Sequence, residues 1–350
     1  MNKHKSIVLF AYLPVLAFAL FHWVMWHSYV EPVAQAAGDL SRAAYIQISP
    51  QAPAYDSDIK KFTGPDARST DILTIGGDFF RLNFQKYLSQ ETGLEVINLT
   101  DLKWQEYPHT RHNPVNMLAL MVNSGYLDQI HPKVIILGIA QYRWYEDLIE
   151  NIDLNLTANV ADLRTFLREY PDPQEPNPSH DFVNDGNYKF LYNNHLLKRS
   201  GGEFTCYSGQ VCSAALTQRM FSGNYPNLLF FARRDFGPIS NENNLTIGQA
   251  IENLNQLAYK LAARNIELFV FIFPDKYTYY QYLLKDTGLP RSQFFENYHA
   301  LPKNYLSLNE MPHMEQEDAY WPQDTRWNES YQRYVAHLIT DRLKQQTRLP

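Results

Sequence analysis

The chain has 350 residues, 45% of them apolar and 19% charged, the make-up of a folded protein with a real core rather than a disordered or repetitive one. Lys plus Arg is 31 and Asp plus Glu is 37, and the resulting net charge of −6 argues against a nucleic-acid binder that neutralises many phosphates. Fifteen Gly, twenty Pro and two Cys exclude collagen-like, proline-rich and disulfide-scaffold classes, leaving one large domain with room for an insertion.

No Asp, Glu, Lys or Arg occurs from Ser6 to Val30, and Ile7 to Trp26 is long enough to cross a hydrocarbon layer of roughly 30 Å. Lys3 and Lys5 hold the short tail before it on the cytoplasmic side, so the rest of the chain emerges on the other side, with Trp23 and Trp26 at the far interface. A cleaved signal peptide is the rival reading, since Ala34-Gln35-Ala36 offers small residues to a peptidase. Both readings export the chain. In an oxidising space Cys206 and Cys212 favour a disulfide, with two buried thiols as the alternative.

Residues 31–70 mix Ala, Pro and polar residues without a period and read as a neck between anchor and domain. Asp71 to Ile75 reads as a strand ending in Gly76-Gly77-Asp78, followed by a helix from Phe80 to Gln90 that Gly93 stops. Leu94 to Asn98 is a second strand, Pro114 to Leu127 a helix, and Val134 to Ile139 a strand covered on both faces. From 151 to 244 the periodicity fades, Pro171, Pro173, Pro176 and Pro178 crowd together and the cysteines appear, which reads as an insertion. The layered pattern resumes with a one-faced helix through Ile247, Leu254 and Leu261 and a strand from Leu268 to Phe273, and a closing helix carries Tyr331, Val335 and Ile339. Alternation of this kind predicts an α/β domain with a parallel sheet over 71–348.

In such a sheet a pocket forms beyond the carboxyl ends of the strands, which singles out Gly76 to Phe80. Two glycines permit a tight turn, and Asp78 suits the mouth of the next helix, whose free amides favour an anion or oxyanion. The order of Gly76-Gly77-Asp78-Phe79-Phe80 near the front and Asp324-Thr325-Arg326-Trp327 before the last helix resembles the Gly-Asp-Ser-Phe and Asp-Thr-His-Trp motifs of SGNH-type hydrolases. The branch it is most similar to is that of the periplasmic alginate O-acetyltransferases, with their amino-terminal membrane segment. His131-Pro132-Lys133-Val134 and Phe273-Pro274-Asp275-Lys276 look like two further motifs of that branch.

The resemblance implies a three-layer α/β/α, flavodoxin-like domain on the periplasmic side of the inner membrane. It puts Phe79 at the serine position and Arg326 at the histidine position, while Asp78 and Asp324 match the motifs' acids. Phe has no atom that attacks an acyl carbon, and Arg, with a pKa above about 12, takes no proton near neutral pH. A pseudoenzyme follows, with no cofactor and no metal. Arg326 then either neutralises Asp324 or forks onto a ligand carboxylate.

Gly77, Asp78, Arg111, Asn113, Gln141, Arg143, Arg326 and Trp327 are the candidate ligand contacts, being near the strand ends or the degenerate motif. His109 and His112 lack further metal ligands, and His313, Glu315, Glu317 and Asp318 fit no calcium loop, so both groups read as ordinary loops. The expected role is that of an accessory protein holding a polysaccharide, or a membrane-bound O-acyltransferase partner, in exopolysaccharide acetylation or export. The alternatives are an active acyltransferase or esterase with another nucleophile, such as Asp78, Thr74 or a residue of the insertion, and a scaffold without a ligand.

Overall fold

The computed structural model describes residues 3–31, 38–49, 70–80, 83–100, 107–168, 184–285, 288–309 and 318–346. Helix α1 (Lys3–Met25) runs on through a wider turn over Trp26–Val30. By length and hydropathy, Phe10–Val30 is long and apolar enough to span a membrane. Most of the expected neck lies outside the described residues, but 38–49 does not stand free of the domain. Its short helix α2 (Asp39–Ala44) packs Leu40 and Ala44, with Ile46 and Ile48, against Tyr207, Val211 and Phe230. Four apolar side chains scattered among Ala, Ser and Pro make no period, yet they suffice to pin the strap.

Five apolar residues then form β1 (Ile72–Gly76), and the helix after it, α3 (Phe84–Thr92), starts four residues later than its composition suggests. Asp78–Phe80 instead form a single 3-10 turn, so Asp78 lies too far from α3 to cap it. Gly93, at φ 69°, ends α3 as expected. Next come β2 (Val96–Thr100), α4 (Pro114–Asn123) and β3 (Val134–Ala140). Helix α4 stops short of Leu127 because Gly125 turns the chain at φ 72°.

The segment expected as an insertion has its own secondary structure: α5 (Val160–Arg168), α6 (Asp185–Ser200), and the antiparallel strands β4 (Thr205–Tyr207), β5 (Val211–Ala215) and β6 (Leu228–Ala232). The proline cluster at 171–178 lies outside the described residues. Cys206 and Cys212 are paired partners across β4 and β5 and form a disulfide. The chain closes with α7 (Asn244–Ala262), β7 (Glu267–Phe273), α8 (Lys276–Tyr280), α9 (Phe294–Ala300), β8 (Leu306–Ser307) and α10 (Glu329–Gln346).

The molecule is therefore α/β, with a five-stranded sheet in the order β2-β1-β3-β7-β8, all neighbours parallel, and a second, antiparallel sheet of three strands. The period of two along each strand sends Leu73, Ile75, Leu137 and Val270 to a face covered by α4 and α7. Ile72, Ile136, Phe269 and Phe271 go to the opposite face, under α3, α10 and the antiparallel sheet. The order reverses at β1 and β3, so the crevice opens beyond their carboxyl ends.

Close approach accounts for two glycines there. A Cβ on Gly138 would lie 2.4 Å from the rings of both Phe80 and Phe273, and one on Gly76 would lie 2.7 Å from the Gly138 carbonyl oxygen. Gly77, read from the sequence as needed for a tight turn, has no positive φ and no neighbour within 4 Å of a built Cβ. Gly138→Ala should therefore cost about 1–3 kcal/mol by overpacking, whereas Gly77→Ala should stay within about 0.5 kcal/mol of the parent. Urea denaturation of the two variants checks the contrast.

Candidate functional site

Beyond the ends of β1, β3 and β7 lies a cavity of about 90 Å³, lined from five directions. The turn after β1 supplies Gly77 and Phe79, the segment after β3 supplies Tyr142, Arg143 and Asp147, and the exit of β6 supplies Arg234 and Asp235. The exit of β7 gives Asp275 and Lys276, and the loop before α10 gives Thr325 and Arg326. No Ser, His or Cys is in this lining.

Phe79 leans back into an aromatic cluster. Its ring stacks on Phe273 at 4.5 Å and 11°, and tilts against Trp327 at 4.9 Å. Phe273 in turn meets Phe80 edge-on at 5.0 Å, so hydrocarbon fills the end of β1. Trp327, read from the sequence as a ligand contact, is 1% exposed in this cluster and lies beneath the crevice floor.

Asp324 is fully buried and forked by Arg326, with Nε 2.7 Å from Oδ1 and Nη2 2.5 Å from Oδ2, while the Arg326 backbone N–H donates to Oδ1 at 2.9 Å. Burial pushes the carboxyl up, but the hydrogen bonds and charge of Arg326 outweigh it and hold the group below the usual carboxylate range. Of the two roles open to Arg326 in the sequence, neutralising Asp324 is the one its guanidinium performs.

A second carboxyl comes from far away in the chain. Asp39 of the strap accepts from the Thr325 backbone N–H at 2.8 Å and from the Thr325 hydroxyl, while its own N–H donates to Asp324 Oδ2 at 3.3 Å. Burial, then repulsion from Asp324, push Asp39 up to about 6. Lys276, 1% exposed, donates to the carbonyls of Trp321, Pro322 and Asp324 at 2.8–3.2 Å. Burial pushes its ammonium down to about 7 against the pull of Asp324 and Asp39.

Asp275 caps α8 through the Thr278 N–H at 2.8 Å, and burial pushes it up to about 7. Neighbouring Asp235 is 3% exposed, its Oδ2 has no hydrogen-bond partner, and burial followed by repulsion from Asp275 raises it well above its ordinary value. The exposed Arg234 lays its guanidinium 4.1 Å over the Tyr142 ring. The crevice thus offers carboxyls that keep protons near neutral pH beside an accessible guanidinium, a set suited to hydrogen-bonding a polar ligand.

Of the other sequence-selected residues, Arg143 lines the cavity and is bound to Asp147 at 2.8 Å and the His112 carbonyl at 2.9 Å. Asn113 and Gln141, expected as ligand contacts, are buried and spent on structure. Asn113 caps α4 and donates to the Asp147 carbonyl, while Gln141 donates to Thr278 and Ser292. Arg111 is exposed at φ 54° outside the lining, as are His109 and His112. The Asp78 side chain and the loop with His313, Glu315 and Glu317 lie outside the described residues, and Asp318 accepts from the Ser222 N–H at 3.0 Å. Among the described residues no three His, Cys, Asp or Glu side chains are grouped to hold a metal ion.

The sequence missed Asp39, Asp235 and Arg234, the first 285 residues from its partner Asp324 and the others in a segment without period. Asp275 and Lys276 carried a signal, a Pro-Asp-Lys at the exit of a buried strand, but it pointed to a turn.

The titrations have a defined sign. Asp39 and Asp275 hold protons in the folded chain that the unfolded chain releases near pH 4, so stability falls as pH rises from about 4 to 7. Lys276, lowered to about 7, adds stability only above that, up to its ordinary 10.5. Thermal unfolding should show the midpoint falling between pH 5 and 7, and Asp39→Asn, which keeps an acceptor for Thr325, should remove about 1–2 kcal/mol of that fall.

No protein-family model, no curated protein and no solved structure matches this chain.

Proposed function

We propose that the chain is a catalytically silent SGNH-like protein. In this reading it is a three-layer, flavodoxin-like domain tethered by α1 to the periplasmic side of the inner membrane. Its crevice holds a polysaccharide as an accessory to exopolysaccharide O-acetylation or export, beside a membrane-bound O-acyltransferase. One observation supports the reading: Phe79 is stacked and the Arg326 guanidinium is locked onto Asp324, at the two positions that the resemblance assigns to a nucleophile and a base. The strand order supports it, as does the position of both motifs at the sheet's carboxyl edge. The polar groups that line the crevice, Arg234 on Tyr142 and Asp235 with an unspent oxygen, are those that hydroxyl-rich ligands engage.

A second reading, acyl transfer by another nucleophile, has one observation in its favour: the Thr325 hydroxyl lines the crevice and donates to Asp39. Thr74, an earlier candidate, is buried in the sheet and bound to Asn98 at 2.9 Å. Acylation of Thr325 Oγ1 would need Asp39 to take the proton.

The purified full chain should turn over small acetyl esters no faster than buffer, with Asp324→Ala making no difference. Calorimetry with oligosaccharides should detect binding that Arg234→Ala weakens about tenfold, as the loss of a charge-assisted contact does. Turnover abolished by Thr325→Val would overturn the silent reading in favour of acyl transfer. Absence of glycan binding would leave a scaffold.

A further inference from the structure

Helix α6 grips the far end of α1. His22 of α1 is 2% exposed, with Nδ1 2.8 Å from Asn187 Nδ2 and Nε2 3.1 Å from the Tyr188 hydroxyl. Met25 and Val30 pack on Phe190, and Tyr29 meets the Phe190 ring at 5.8 Å. These contacts fix the depth of α6 relative to the apolar span. With Ile7 to Trp26 covering a hydrocarbon core of roughly 30 Å, the segment from His22 to Val30 that α6 grips lies at the outer boundary, and the amino-terminal half of α6 is held at that level with it.

That half is dressed for the position. Tyr188, Leu191 and Tyr192 are 48%, 44% and 64% exposed on one face of α6, and Trp23 and Tyr29 are exposed on the segment that α6 grips. A helical period of 3.6 continues the same face through the exposed His195, Lys198 and Arg199. Aromatic rings at the anchored end and cations beyond them are the order in which a helix meets the acyl boundary and then anionic headgroups.

We infer that this face of α6 is a second membrane contact, seated in the headgroup boundary of a phospholipid bilayer. The inference rests on α1 being a membrane anchor, as proposed above.

The test uses the full chain in vesicles of phosphatidylcholine and phosphatidylglycerol, spin-labelled singly through Tyr192→Cys, Leu16→Cys or Tyr259→Cys, the native cysteines being paired. Tyr259, 62% exposed on α7, is the aqueous reference. Collisions with a water-soluble nickel chelate should be about threefold or more rarer at position 192 than at 259, and oxygen collisions more frequent, as for an interfacial helix. Leu191→Cys should repeat the result should the label at 192 disturb the fold. A label at 192 as open to nickel as that at 259, with position 16 reading as lipid, overturns this inference alone and leaves the face to a protein partner. A label at 16 open to nickel overturns the anchor and the inference together.

Discussion

The ammonium of Lys276 sits where β7 ends, shut off from water, and its three N–H groups meet the carbonyls of Trp321, Pro322 and Asp324. Three donors with three acceptors are satisfied, which is what makes a buried cation tolerable. The bonds tie the central sheet to a loop whose Tyr320, Gln323 and Trp327 are themselves buried, and that loop carries Asp324, Thr325 and Arg326. The same loop gives Thr325 to Asp39, so the strap that follows the apolar helix is held by it as well. The Lys276 clamp thus adds to the Arg326 fork and to the apolar packing of the strap in holding this loop in place.

The clamp also sets the electrostatics of the crevice. A carboxylate in the interior needs a counter-charge, because desolvation alone costs several kcal/mol. Asp324 has two cations in reach, and Arg326 takes both its oxygens. A permanent cation at that position keeps Asp324 ionised. Phe79 follows the same logic on the apolar side. A hydroxyl at the end of β1 has to be kept wet or bonded, whereas a ring there stacks on Phe273 and extends the aromatic core. Both side chains are thus satisfied within the fold, one by charge and one by stacking.

How much of this was legible depended on whether the signal was local. β1, β3 and β7 are short, largely apolar runs, and each lies within a residue or so of its expected place. Helix α3 began late because Phe79 and Phe80 are claimed by Phe273, a ring 193 or more positions away that local propensity does not contain. Asn113 preceding Pro114 is a helix-cap pattern, and its side chain does cap α4. Reading it as a ligand contact took nearness to the crevice for orientation toward it, and the same step misread Gln141 and Trp327. Asp235 in the crevice lining and Asp39 behind its Thr325 stand in segments without hydrophobic period, so only tertiary structure brings them together near the strand ends.

The anchor and the crevice are also coupled through the chain itself. Glu31 ends the described part of the long apolar helix, and Gly38 begins the strap that Asp39 fastens to Thr325. Seven peptide steps reach at most about 25 Å even when fully extended. The crevice loop is thus leashed to the outer end of the span, while α6 grips that end directly through His22. A domain meant to search the bulk phase gains nothing from two short attachments, since each removes orientational freedom at an entropic cost. On the function proposed above, they would hold the crevice at a fixed height and angle over the bilayer and raise its effective concentration against a membrane-bound partner.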